Sequence, residues 1–215
     1  MKKQFLILVI LMCRMLSFGQ NDSTFFLNEF DVSINHITSN NNNRSNYGFG
    51  IGANHIFLSD KQVNIVVGME YNMTVQYFSS MFEGHFASLS DITFHIYSFS
   101  IPVTARLNFG HKTTFFIEAG AYLDMNLGAK EKGRMHTYLP VNDSTVTYSE
   151  SDINRKTDIS ALNYGISAGI GISIPISKIR LFIKPEYKFG FAKLYSGADY
   201  VSNNYLRVVI GLKVF

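Results

Sequence analysis

Tryptophan is absent from the 215 residues, cysteine occurs once, proline four times, and only 16% of residues are charged. Each shortage excludes something. The single cysteine, Cys13, lies in an amino-terminal segment with the marks of a secretory leader. Lys2 and Lys3 precede an apolar run from Phe5 to Met12, and Ser17 and Gly19 supply small residues just before Gln20. That run is too short to cross a membrane as a helix. The expected organisation is therefore a leader, residues 1–19, and one domain, residues 20–215. Without Cys13 that domain has no disulfide, no thiol nucleophile and no cysteine-bound metal. Lys2, Lys3 and Arg14 leave with the leader too, which takes Lys+Arg from 19 to 16 against 16 Asp+Glu. No basic excess remains, and with it goes any nucleic-acid footprint. Beyond residue 20 no stretch reaches 18 consecutive apolar residues, so no transmembrane helix is available.

What is plentiful is period-2 alternation. One face of five segments runs Val63 to Tyr77, Tyr97 to Phe109, Phe115 to Leu127, Tyr164 to Ile174 and Leu181 to Phe191, taking every second residue. Of those 34 positions 33 are hydrophobic, the exception being Pro185. Of the 29 positions between them only Val66, Phe116, Tyr122 and Phe182 are apolar. Such a contrast is the signature of β-strands with two chemically different faces. Three weaker segments, 26–37, 47–57 and 205–215, bring the expected count to eight strands.

Alternation alone does not say which face is inside. Strand length and connection length do. The segments exceed the usual globular strand of about 5 to 6 residues and suffice for the ~9 to 11 that cross a bilayer at a tilt. The connections alternate: long at 39–46, 79–91, 129–158 and 196–204, tight at 59–61, 110–112 and 175–178. Short turns on one side and long loops on the other are the pattern of an outer-membrane barrel. Tyr47, Tyr77, Tyr97, Tyr164, Tyr187 and Tyr205 fall toward the loop end, while Phe57, Phe109, Phe115 and Phe215 fall toward the turn end, as two interfacial girdles would. The expected fold is all-β, an eight-stranded antiparallel up-and-down transmembrane barrel, monomeric, in the cell outer membrane.

The segments Ser100-Ile101-Pro102-Val103-Thr104-Ala105-Arg106-Leu107-Asn108-Phe109, Phe116-Ile117-Glu118-Ala119-Gly120-Ala121-Tyr122-Leu123 and Tyr164-Gly165-Ile166-Ser167-Ala168-Gly169-Ile170-Gly171, with a last strand ending in Phe215, resemble the outer-membrane β-barrel family of Bacteroidetes grouped with the PorT-type proteins. The likeness covers essentially the whole domain. It implies a lipid-embedded barrel inserted by the barrel-assembly machinery, and, for some relatives, a part in secretion.

The polar face, turned inward, would place Glu29, Asp31, Glu70, Glu118, Asp124 and Glu186 in the lumen with Arg106, Arg180, Lys184, Lys188, Arg207 and Lys213. An eight-stranded barrel is just wide enough for side chains to fill, so a charge-paired plug is expected and an open pore is not. In the longest loop, His136 to Pro140 and Thr145 to Tyr148 could extend as a hairpin, with His136, Tyr138, Asn142 and Tyr148 as candidate contacts for an envelope or surface protein. No cofactor and no metal are expected, since no two histidines stand at ligand spacing. The expected role is non-catalytic and structural or recognitive. Two alternatives stay open. One is a soluble exported barrel holding a small apolar ligand, which needs the apolar face inside. The other is an outer-membrane lipid or peptide hydrolase using His95 with Ser98 or Ser100, or His85, His136, Asp143 and Asp152.

Overall fold

The computed structural model describes residues 27–37, 46–59, 61–82, 84, 86–142, 145–194 and 202–214. The leader, His85, Asp143 and Phe215 lie outside the described residues. Among the described residues nine strands are present: β1 (Glu29–Ile37), β2 (Asn46–Phe57), β3 (Val63–Phe82), β4 (Ala87–Phe109), β5 (Thr114–Asn142), β6 (Thr145–Thr157), β7 (Leu162–Ile176), β8 (Ile179–Gly190) and β9 (Tyr205–Val214). All pairings are antiparallel. Eight strands close a barrel in the order β1-β2-β3-β4-β5-β7-β8-β9, with β9 returning to β1. β6 stands outside that circuit and, among the described residues, pairs only with β5.

The alternation decides the facing. Val32, Ile51, Ile117, Ile170, Ile183 and Ile210 are exposed, whereas Glu70, Arg106, Glu118, Lys184, Glu186 and Arg207 are buried. A folded chain that hides its charges and shows its aliphatic residues is built for a hydrocarbon surround, where closure of the sheet satisfies every backbone group. The apolar-ligand alternative requires the reverse facing and is overturned here. Along β5 the lipid-facing set runs from Phe115 to Leu127, twelve steps of about 3.4 Å. At a tilt of ~40° that is roughly 30 Å of height, the thickness of a bilayer core.

Two girdle assignments need correction. Tyr205 is buried in the lumen, on the same register as Arg207. Tyr77 is also buried, and its hydroxyl donates to Asp91 Oδ1 at 2.6 Å. Tyr47 and Tyr164 at the loop end, and Phe57, Phe109 and Phe115 at the turn end, are exposed as girdle residues should be.

The larger departure is above the membrane. Residues 79–91 and 129–158 read as loops, yet β3, β4, β5 and β6 continue through them as a four-stranded sheet rising from one side of the barrel. The reason is a reversal in which face carries the apolar residues. On β4 the inward positions from Ser98 to Asn108 are polar except Pro102, and those above are apolar, where Ile92, Phe94 and Ile96 are buried. On β5 a bulge does the same work. Tyr97 pairs with Gly128 but Ser98 with Asn126, which leaves Leu127 as an extra residue. Gly128 takes φ +150, a backbone state that side chains disfavour. Below the bulge the inward residues of β5 are even-numbered, such as Glu118 and Asp124. Above it they are odd-numbered, namely Ala129, Glu131 and Met135. Together Leu89, Ile92, Phe94, Ile96, Ala129 and Leu194 form an apolar cluster capping the lumen, with Phe78, Met135, Ile153 and Ile159 packed against it.

Candidate functional site

The lumen holds a continuous chain of alternating charges. Arg106 grips Glu29 with both terminal nitrogens, at 2.7 and 2.9 Å, and turns its Nε to Glu118 at 2.7 Å. Lys184 bridges Glu118 at 2.8 Å and Glu186 at 2.7 Å. Arg207 joins Glu186 at 3.0 Å to Glu70 at 2.6 Å. Lys188 ends the chain on Glu70 at 2.7 Å and Ser100 Oγ at 3.2 Å, with its ammonium 4.8 Å from the Tyr122 ring. Four carboxylates meet four cations, from β1, β3, β4, β5, β8 and β9, and every one is buried. Charges taken from water into such a space are tolerable only when paired in good geometry.

The other four expected members also face the lumen. Asp31 accepts from Asn54 Nδ2 at 2.8 Å. Asp124 is fully buried and accepts from Asn163 Nδ2 at 3.1 Å. Arg180 sits at the turn end, bonded to Ser173 Oγ, Thr114 Oγ1 and the Lys112 carbonyl. Lys213 lines the cavity at that end, about 660 Å³, alongside Lys61, His111 and Arg180. The floor of this cavity is aromatic. Phe116 and Phe182 meet edge to face at 6.4 Å, and the Arg106 guanidinium lies 4.6 Å from the Phe116 ring centre. Gly171 and Gly211 make room for those rings: a Cβ would come within 2.2 Å of Phe116 Cζ at one and 2.4 Å of Phe182 Cζ at the other. From the turn end upward the lumen is thus layered as vestibule, aromatic floor, ion chain and apolar cap.

The loop candidates converge on the four-stranded sheet that rises from the barrel. Asn142 pairs with Thr145 at the hairpin end, and Tyr138 stands directly across from Tyr148. His136 stacks on Tyr148 at 5.8 Å, and Tyr138 lies 5.5 Å from the same ring. His136 also places Nε2 at 2.7 Å from Ser90 Oγ and Nδ1 at 2.5 Å from the Tyr148 hydroxyl, which donates in turn to Glu150 at 3.3 Å. Among the hydrolase combinations, His95 cannot serve Ser98 or Ser100, because those serines face the lumen and His95 the outside. Ser90 lies outside both combinations. Its cross-strand partnership with His136 became visible only once 79–91 and 129–158 were strands. Among the described residues no cluster of three His, Cys, Asp or Glu could hold a metal.

Residues 18–196 match the family described as outer membrane protein beta-barrel domain. The chain belongs to that family. The outer-membrane barrel of this family is also similar to solved structures. Ail, the attachment invasion locus protein of Yersinia pestis, shares 13% identity over 87% of this chain and 97% of that one, with a TM-score of 0.39. Neisserial surface protein A shares 14% over 87% and 95%, with a TM-score of 0.44. The amino-terminal β-barrel domain of Pseudomonas aeruginosa OprF shares 10% over 87% and 96%, with a TM-score of 0.35. Among curated proteins none matches the sequence.

Proposed function

We propose that this outer-membrane barrel is a non-catalytic surface-recognition protein, and that its extracellular sheet is the part that meets a partner in the envelope or on the surface. The observation that carries this is β6, a 13-residue strand that pairs on one side only among the described residues. Its open edge stands beside the exposed rings of Tyr138 and Tyr148. An edge strand offers a row of backbone donors and acceptors to an incoming strand. Aromatic residues on a rigid sheet supply contact area at small entropic cost. The filled lumen fits a scaffold and not a conduit. In the same proposal the chain is a monomer of the PorT-type barrels of Bacteroidetes, accessory to a secretion or envelope complex. It is exported with its leader removed before Gln20 and inserted by the barrel-assembly machinery. The motifs around Arg106, Glu118 and Gly165 support that assignment.

A photo-crosslinking side chain at Tyr148, in cells that carry the protein in their outer membrane, tests the proposal. A discrete crosslinked protein from Tyr148 and none from the lipid-facing Ile183 is the expected outcome. Crosslinks to lipid alone from both Tyr138 and Tyr148 would end it.

One contact favours a second function. Ser90, His136, Tyr148 and Glu150 form a hydrogen-bonded relay of hydrolase ingredients on the outer face of the sheet. If it is catalytic, a fluorophosphonate probe labels the protein and Ser90→Ala abolishes labelling. Absence of labelling leaves the relay as a brace between β4, β5 and β6.

A further inference from the structure

We propose that the outward face of β4, β5 and β6 just above the lipid belt binds the phosphate of an outer-leaflet lipid headgroup, with Lys130, Lys132 and Lys156 as its cations. The inference rests on the barrel lying in the outer membrane with its long connections outside; it is independent of any partner at the hairpin tip.

The Leu127 bulge sets the facing. It sends Ala129 and Glu131 inward and leaves Lys130 and Lys132 exposed on the outer side. Lys156 stands directly across from Lys130, so two ammonium groups share one cross-strand site, and Lys132 follows two residues along the same face. On the other flank His95 pairs with Lys130 and Thr93 with Lys132. Like charges placed opposite one another in a sheet are unfavourable. Among the described residues none of the three is ion-paired: exposed Asp158 lies two residues beyond Lys156, and Asp91, two residues before Thr93, accepts from the Tyr77 hydroxyl at 2.6 Å. Glu131 is on the inner face, held by Arg155 at 2.9 Å and Thr157 at 3.0 Å. Glu150 is ion-paired to Arg134 at 3.2 Å, higher up the sheet. Asp152 stands opposite Arg134, and Lys132 faces the neutral Asn154. Three neighbouring cations, none of them ion-paired among the described residues, are what a multivalent oxyanion would satisfy.

Height selects the source of that anion. Immediately below the lysines the outer face is Tyr97, Leu127, Leu162 and Tyr164, with Leu127 63% exposed. Lys130 is three residues beyond Leu127, about 10 Å along the strand and roughly 7 to 8 Å higher at a tilt of ~40°. Hydrocarbon ends and phosphate begins within that interval. A lysine stem can lie along the aromatic rim while its ammonium reaches the headgroup.

The test is native mass spectrometry of the full chain in a non-ionic detergent, titrated with a bis-phosphorylated glucosamine lipid, with the same lipid after dephosphorylation, and with inorganic phosphate. Saturable binding of the phosphorylated lipid alone is expected. Each lysine near an anionic lipid surface contributes about fivefold. The Lys130→Gln, Lys132→Gln, Lys156→Gln triple variant should therefore bind about 100-fold more weakly, and Lys156→Gln alone about fivefold. The single variant lies on β6, outside the barrel circuit, so it stays informative if the triple variant fails to fold. A chain lacking residues 138–148 should keep its lipid, which separates this site from the tip. Equal binding of the dephosphorylated lipid, unchanged affinity in the triple variant, or inorganic phosphate bound as tightly as the lipid would each overturn the proposal.

Discussion

Glu70→Gln is the sharpest test of the buried ion chain. Glu70 accepts from Lys188 at 2.7 Å and from two Arg207 nitrogens at 2.6 and 2.8 Å. A neutral amide removes the carboxylate that, among the described residues, is ion-paired to Lys188, a fully buried ammonium that also meets Ser100 Oγ and the Tyr122 ring. Arg207 keeps Glu186. Breaking a buried pair from one side costs about 3 to 5 kcal/mol, because a charge is left uncompensated. With a urea slope of about 2 kcal/mol per molar, the unfolding midpoint in phospholipid vesicles should fall by roughly 2 M. Since tryptophan is absent, circular dichroism and the mobility of the unboiled protein on gels are the readouts. Adding Lys188→Met removes the stranded charge and should restore more than half the loss. The exposed pair Arg134–Glu150 is the contrast: Glu150→Gln should cost about 1 kcal/mol or less. If Glu70→Gln stays within about 1 kcal/mol of the parent, water fills the lumen and the dry ion chain is wrong.

Other expected outcomes are direct. Ile170→Lys sits near the midplane of the lipid face and should destabilise the inserted barrel by about 2 to 4 kcal/mol, read as loss of the fast-migrating unboiled band. Gly171→Ala forces Phe116 off its seat and should cost about 1 to 3 kcal/mol, measured by the same urea titration; an unchanged midpoint would mean the aromatic floor is loose. Ile92→Ala in the apolar cap should cost about 2 to 5 kcal/mol. The parent should show no steady conductance in planar bilayers, and a stable open channel would refute the plugged lumen. Deleting residues 138–148 should leave gel mobility and urea midpoint unchanged, because β6 pairs with no barrel strand other than β5.

The barrel itself was legible because lipid writes an apolar residue at nearly every second position of five segments between Val63 and Phe191. The same parity placed Glu29, Glu70, Arg106, Glu118, Lys184, Glu186, Lys188 and Arg207 indoors. Their pairing was not legible. Arg106 meets Glu29 across 77 positions and Arg207 meets Glu70 across 137, separations fixed by strand stagger and not by local pattern. Arg180 shares the inward parity but bonds Ser173, Thr114 and the Lys112 carbonyl at the turn end, and Lys213 stands directly across from Glu29. The extracellular sheet did leave a trace in the sequence. At Ile96 the apolar residues change faces, and a strand that leaves hydrocarbon for water must do just that. Counted as the end of the strand, the change hides Ile92, Phe94, Met135 and Ile153; counted as the surface of the membrane, it finds them. Tyr77 and Tyr205 were misplaced for a related reason, since distance from a rim does not say which side of the wall a ring occupies.

The bulge at Leu127 makes β5 more sensitive to length than to identity. Below it the wall separates oil outside from charge inside, and above it water outside from oil inside, with a single supernumerary residue converting one arrangement to the other. Many side chains could stand at that outward position without disturbing either region. Losing the position altogether would rotate everything from Ala129 to Met135 by half a turn, aim Lys130 and Lys132 into the apolar cap and bring Ala129 and Met135 out into water. Conservative replacements along this stretch are therefore cheap, while insertion or deletion of one codon here amounts to turning the upper storey of the molecule inside out.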